Sequence, residues 1–457
     1  MKMSVIERLK PTIMATLAAC MIAGLALFPQ RAMALPSFAR QTGLPCSRCH
    51  ITFPELTEFG REFKLNGYTL SGPEFAKVTA PASGNEAGLW INRALPISAM
   101  LQIADTGMAK LQPGTQTGNV ELPQQLSLFL AGEVATQAGL FLQVTYDSRD
   151  HFSLDNTDFR VVNFATVGDK PMTYGLDINN SPTVEDLWND TPAWSWPFTG
   201  PDTSPTPAAA TLVDGTLAQD VGGMGGYVMW NHQWYGDFTL YRSMHLGGPQ
   251  PPTGVNYNVN IAGTAPYWRG AWQTSWGGGT SFLEVGTYGM RADSYFNGLV
   301  GPQDSYTDNA VDAQYEHHFG LNILTAHTTY IHEHRTLNGT FAAGGAASPA
   351  SSLNTFRSDA IFHIGNRFGF GGGGFTLHGT SDSGLYPSGT AVAGSANNSP
   401  NSSGYTLQGM YWPVQNVEAS LSYTGYTRFN GGTTNYDGLG RNARDNNTVF
   451  ASIWIMF

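Results

Sequence analysis

The sequence predicts an all-β fold: a closed antiparallel barrel of about 16 strands, carrying a small α-helical segment at its N-terminal end. Three observations lead to that class. Apolar and polar residues alternate with period two after residue 94, short turns alternate strictly with long polar loops, and the chain ends on an aromatic residue, Phe457. Composition agrees. Of 457 residues only 12% are charged, about half the usual share, while aromatic residues make up 12%. Beyond the N-terminal region no stretch is apolar enough to cross a bilayer as a helix.

In chain order the first element is an export signal, residues 1–34. Lys2, Arg8 and Lys10 form a basic start, an apolar run follows over 13–28, and the small residues at 32–34 offer a cleavage site. A lipid anchor on Cys20 is the weaker alternative, because the apolar run continues for eight residues past it. Cleavage leaves 19 basic residues against 33 acidic ones, a net charge of −14. So acidic a chain excludes nucleic acid as a partner and favours small cations.

Residues 35–80 form the second element, centred on LPCSRCHITFPELTEFG, 44–60. Cys46-x-x-Cys49-His50 is the attachment signature of c-type haem. Two thiols separated by two residues reach the two vinyl groups of one porphyrin, and the adjacent His50 then serves as proximal iron ligand. A Cys46–Cys49 disulfide is the plain alternative in an oxidising compartment. A thioredoxin-like site would need a βαβ context, and a structural zinc would need two further nearby ligands. The sequence provides neither.

Beyond the motif a helix is expected. Thr52 is placed as N-cap, Pro54 in the first turn and Glu55 as the partner in a capping box; Leu56, Phe59 and Phe63 form one apolar face, and Gly67 after Asn66 marks the stop. The segment is too short to bury a haem alone, so it is expected to complete its packing inside the barrel lumen. No Met or His lies between His50 and Met100. The distal iron position is therefore open or supplied by the barrel, with Met100, His327 and His363 as candidates. Residues 81–94 are read as a linker and 95–457 as the barrel.

Strand patterns are clear in QLSLFLAGE (125–133), QAGLFLQVTYD (137–147), VEASLSYTGY (417–426) and NTVFASIWIMF (447–457). Short turns are expected near 134–136, 168–170, 233–235, 277–279, 319–320, 365–368 and 412–415. Long loops are expected near 108–123, 148–157, 180–224, 245–265, 291–307, 335–353, 380–402 and 428–446. This sorting is the signature of a bacterial outer-membrane barrel, with the short turns on the periplasmic side. An even strand count puts both barrel ends there, so the haem segment lies on the periplasmic side or in the lumen. His332 and His334 share a strand face and form a plain polar pair or a rim metal site. The GFGGGG run, 369–374, lies in a strand, where glycine permits close packing.

Taken together, FARQTGLPCSRCHITFPELTEFGREFKLNGYTL (38–70) and the Trp- and Pro-rich NNSPTVEDLWNDTPAWSWPF (179–198) resemble the fused outer-membrane cytochrome–porins, monohaem proteins associated with ferrous iron oxidation. The resemblance implies one covalent haem c held by Cys46, Cys49 and His50. It also implies an iron oxidase, an oxidoreductase of the Fe(II):cytochrome c type, that takes electrons from extracellular Fe(II) and passes them to a periplasmic cytochrome or cupredoxin. Outer-membrane lipid is the remaining partner. Glu185, Asp186 and Asp190, in the long loop, are hard oxygen ligands suited to receive Fe(II). Two rivals stand beside this reading: an electron conduit for another extracellular donor, and a diffusion porin in which the haem segment is a structural plug.

Overall fold

The computed structural model describes residues 37–72, 83–86, 89–92, 94–116, 119–244, 260–296 and 300–457. The expected signal peptide, 1–34, lies outside the described residues, as do 73–82 near the end of the N-terminal segment.

Sixteen strands build the wall. They are β1 (Ile97–Met108), β2 (Asn119–Ala135), β3 (Ala138–Asp147), β4 (Phe152–Val167), β5 (Lys170–Asn179), β6 (Val221–Trp230), β7 (Trp234–Ser243) and β8 (Ala265–Trp276) in the first half. The second half holds β9 (Ser281–Tyr295), β10 (Gln303–Phe319), β11 (Asn322–Thr336), β12 (Ala350–Ile364), β13 (Phe368–Gly379), β14 (Ser402–Val414), β15 (Val417–Arg428) and β16 (Thr448–Met456). Each pairs antiparallel with its sequence neighbours, and β16 closes on β1, with Met456 opposite Met100 and Trp454 opposite Gln102. A two-residue strand, Asn260–Ile261, pairs beside β9 as an accessory to this wall. Closure leaves no unpaired strand edge in lipid, which is what lets a sheet span a membrane.

The strand faces are inverted relative to a soluble protein. Leu126, Leu128 and Leu130 of β2 are 38%, 52% and 43% exposed, whereas Ser127 between them is 0% exposed. The lumen side is polar: Asp158, Arg160, Asp177, Arg269, Glu284 and Asp312 are all buried there. Apolar outside and polar inside is the arrangement a lipid-facing barrel requires.

The expected turns and loops alternate as read from the sequence, but several loops are shorter than expected: β9 runs to Tyr295 and β10 starts at Gln303 within the expected 291–307, and β2 starts at Asn119 within the expected 108–123. The connection expected over 148–157 spans only 148–151, because β4 begins at Phe152. Phe152 pairs with Tyr146 and points outward, while the polar stretch 155–158 turns toward the lumen. A polar run that lines a lumen looks like a loop in sequence. In the region expected to be a linker, Ser83–Glu86 and Leu89–Asn92 pair as a hairpin.

The N-terminal segment packs inside the lumen as a plug. It carries α1 (Ser37–Thr42) and α2 (Glu58–Leu65). Gln41 Nε2 donates to the Ala131 carbonyl at 2.8 Å, Tyr68 Oη to Asp158 Oδ2 at 2.6 Å, and Tyr227 Oη to the Leu65 carbonyl at 2.9 Å. Arg61 pairs with Glu316 of β10. Phe63 and Tyr68 form an apolar cluster with Phe38, Phe59 and Phe141, the last contributed by β3.

The helix starts later than the sequence suggests. Thr57, not Thr52, caps α2, its Oγ1 accepting from Gly60 N at 3.1 Å. The expected capping box fails because Glu55 is committed elsewhere. Its carbonyl accepts from Ile51 N at 3.1 Å, and its carboxylate reaches His327 and His363. The stop is as expected. Asn66 is the C-cap, Gly67 has φ +65°, and Tyr68 N donates back to the Phe63 carbonyl at 2.9 Å.

The long loop 180–220 folds in from the other end and meets the plug. Lys64 Nζ, on α2, donates to the Val184 and Asp186 carbonyls at 2.7 and 2.5 Å and to Asn189 Oδ1 at 2.9 Å. The glycine run of β13 accommodates the same loop. A Cβ on Gly371 or Gly373 would stand 2.9 Å from the Trp196 ring, so the bare strand is what seats the indole.

Candidate functional site

Cys46 opens a single 3-10 turn, Cys46–Arg48, and its carbonyl accepts from both Cys49 N at 3.0 Å and His50 N at 2.9 Å. The chain then doubles back. Thr57 N donates to the Cys49 carbonyl at 2.9 Å, and Thr57 Oγ1 donates to the Arg48 carbonyl at 2.7 Å. The cap residue of α2 is therefore fastened to the motif through two bonds. Gly60 permits this contact, since a Cβ there would fall 2.1 Å from the Cys49 carbonyl oxygen.

Both cysteines carry free thiols. Burial raises the Cys46 thiol, and burial with the neighbouring Cys46 pushes Cys49 up to about 12, against the pull of Arg48. Burial thus favours the thiol over the thiolate form at both sulfurs. Burial lowers His50 to about 4, with the Glu55 backbone opposing it, so this imidazole is neutral and able to act as a ligand. Its Nδ1 is buried without a well-formed hydrogen bond.

All three residues line one cavity of about 340 Å³ between the plug, the strands β1 to β4 and β16, and the folded-in loop. Aromatic walls come from several elements: Phe53 of the plug, Phe129 and Phe141 of β2 and β3, Trp194 and Phe198 of the loop, and Trp454 of β16. Free thiols, a neutral imidazole and an apolar enclosure on one cavity are a donor set that fits a covalently held porphyrin. The size lies within the range of ordinary ligand sites.

The other distal candidates separate. Met100 lines this cavity and is 3% exposed. His327 and His363 do not line it. Their Nε2 atoms each lie 3.4 Å from a Glu55 carboxylate oxygen, and His327 Nδ1 bonds Asp359 Oδ2 at 2.8 Å. His332 and His334 point outward on β11, with His332 Nδ1 at 2.8 Å from Asn354 Oδ1.

The three loop acids are buried and divided between two settings. Arg269 Nη2, on β8, lies 3.1 Å from Asp186 and 3.5 Å from Asp190. The same nitrogen also reaches Glu284 at 3.3 Å and Asp312 at 2.8 Å. Asp190, Glu284 and Asp312 each offer an oxygen within 4.8 Å of the others. Glu185 stands apart from Arg269, and neither of its oxygens has a well-formed hydrogen bond. Burial, reinforced by Asp177, pushes its pKa up to about 8. Glu284 and Asp312 were not identified from sequence. Strand parity places them inward, but only the fold of the loop brings Asp186 and Asp190 to them.

The sequence matches no family model and no curated protein. Among solved structures the chain is similar to OmpT, an outer membrane protein of Vibrio cholerae, at 10% identity over 83% of this chain and 99% of that chain, with a TM-score of 0.44. It is similar to an anion-selective porin from Comamonas acidovorans at 11% identity over 79% and 98%, with a TM-score of 0.47. A third similarity is to the outer membrane channel DcaP of Acinetobacter baumannii, at 10% identity over 79% and 96%, with a TM-score of 0.46. The chain's own closure on sixteen strands, its apolar exterior and its sorted turns and loops define a porin-like β-barrel of the bacterial outer membrane.

Proposed function

We propose that the protein is an outer-membrane c-type cytochrome joined to a porin, which oxidises extracellular Fe(II) and passes single electrons inward to a periplasmic cytochrome or cupredoxin. The observation that carries this reading is the placement of Cys46, Cys49 and His50 together on one apolar cavity inside a closed barrel. A haem bound there would supply reversible one-electron chemistry, with a potential set by ligation, burial and hydrogen bonding. Cys46 and Cys49 would hold it by thioether bonds, and His50 would ligate its iron. The protein does the rest. The aromatic walls exclude water, Lys64 fixes the loop over the cavity, and the barrel separates the two aqueous sides. Each Fe(II) gives up one electron and leaves as Fe(III) outside; each acceptor molecule is reduced by one electron in the periplasm.

The polar lumen and the porin-like wall favour a second reading, a diffusion porin whose N-terminal segment is a plug. Two measurements on the purified protein in detergent and liposomes separate them. The cytochrome reading expects a haem absorbance reduced by Fe(II) and little solute flux. Flux that persists after Cys46→Ala and Cys49→Ala, with no Fe(II)-dependent change in absorbance, supports the porin and overturns the oxidase.

A further inference from the structure

We propose that Met100 of β1 would supply a second protein ligand to the haem iron beside His50, so that a bound haem would be held by both the plug and the barrel wall. This rests on the cytochrome reading above and deepens it.

Elimination among the cavity's own residues carries the inference. His50 is the single histidine on the cavity, and Met100 and Met456 are the methionines. His327 and His363 are occupied around Glu55 and Asp359. Lys64 also lines the cavity, but its Nζ already donates three hydrogen bonds to the loop. Tyr68 is engaged with Asp158. The thioethers remain, and a neutral soft sulfur suits both haem iron and an apolar enclosure.

Between the two methionines the setting favours Met100. They are cross-strand partners at the seam where β16 meets β1. Met456 is half-buried, while Met100 is 3% exposed within a twelve-residue strand. Met100 is also positioned by its surroundings. Gln102 Nε2 approaches its Sδ at 3.8 Å, and Gln102 Oε1 accepts from Thr199 Oγ1 of the folded-in loop at 2.7 Å. The sulfur is thereby linked to the loop that covers the cavity. Full ligation would then require the plug to be seated in the finished barrel.

The test uses the full chain matured in a host that attaches c-type haem, with haem per chain counted first. Met100→Leu preserves volume and removes the ligand; Met456→Leu is the control. The expected result is a reduced wild-type protein whose spectrum carbon monoxide leaves unchanged, a Met100→Leu variant that binds carbon monoxide, and a Met456→Leu variant that behaves as wild type. Carbon monoxide binding by the wild type, or a Met100→Leu variant that stays inert, overturns the proposal. So does opening of the site by Met456→Leu alone. Should Met100→Leu fail to mature, Met100→His answers the same question. It should keep a six-coordinate spectrum but lose the weak long-wavelength band of thioether-ligated ferric haem, and retention of that band refutes the assignment. A wild-type protein without haem overturns the cytochrome reading itself, an outcome distinguishable from all of these.

Discussion

The Glu55 carboxylate lies 3.4 Å from Nε2 of His363, joining the plug to the barrel wall. Its other oxygen lies 3.4 Å from Nε2 of His327, so one acid spans β11 and β12. Burial raises the Glu55 pKa, but the two histidines outweigh it and hold the group below the ordinary carboxylate range. The carboxylate is thus ionised where it sits. A group lowered on folding stabilises fully above its unfolded pKa and loses that contribution as pH falls through the folded value. Glu55→Ala leaves two buried histidines without their acid, a loss of about 3–5 kcal/mol for a buried pair. Thermal melting in detergent near neutral pH should fall clearly for Glu55→Ala and less for Glu55→Gln. Equal melting of Glu55→Ala and wild type would mean the contact does not hold the plug.

The loop acids predict a pH dependence with two limbs. Burial raises Asp186, yet Arg269 and the loop's own hydrogen bonds bring it down to about 2. Its contribution is complete above the ordinary Asp value and is lost as pH falls through about 2. Glu185 runs the other way: burial lifts it to about 8, so its contribution is complete below the ordinary Glu value and is lost as pH rises through about 8. Asp190 is likewise raised, by burial and then by Asp186, Glu284 and Asp312. The loop should therefore be held most firmly near about pH 4. Protease cleavage within 180–220 should be slowest there and accelerate toward pH 8. Glu185→Gln should flatten the alkaline limb; an unaltered limb in that variant would assign the effect to other groups.

Gly60 sets how closely α2 approaches the Cys-x-x-Cys-His turn. A Cβ at this position would lie 2.1 Å from the Cys49 carbonyl oxygen and 3.2 Å from Cys49 Cα, so backbone must move. The same carbonyl accepts from Thr57 N at 2.9 Å, and displacing it disturbs the helix cap as well. If the proposed haem is attached at this turn, Gly60→Ala should reduce haem per chain several-fold in a maturing host, whereas Glu58→Ala, at an exposed residue, should leave it unchanged. Full haem loading in Gly60→Ala would show that the turn and helix tolerate separation.

The barrel was legible because its code is local: alternation along a strand and the length of each connection are properties of neighbouring residues. The β4 start was missed because lumen-lining residues 155–158 have loop composition. The α2 start was missed because Thr52 and Thr57 are equally good caps in sequence, and the choice is made by Glu55 finding histidines some 270 and 300 positions away. The Cys46, Cys49 and His50 cluster is local and was read directly. The grouping of Asp186 and Asp190 with Arg269, Glu284 and Asp312 depends on a loop folding into the lumen, which no local pattern encodes.

That inward fold makes Trp196 the residue to test for control of the lumen. Its Nε1 donates to Gln408 Oε1 of β14 at 2.9 Å, and its ring lies over the glycine track of β13. It anchors a cluster with Ile361, Met410, Phe198 and Trp412. Removing a buried indole typically costs about 3–5 kcal/mol. Here the cost should appear as detachment of the loop, because the barrel wall keeps its own backbone ladder. Trp196→Ala should raise single-channel conductance in planar bilayers above a nearly closed wild type. Gly371→Val, at a position where the nearest atoms to an added Cβ all belong to the Trp196 ring, should do the same with the tryptophan itself unchanged. Trp196→Phe, which keeps most of the packing and loses the bond to Gln408, should fall between. If both Trp196→Ala and Gly371→Val remain as closed as wild type, the plug alone seals the barrel and the loop serves only to roof the cavity.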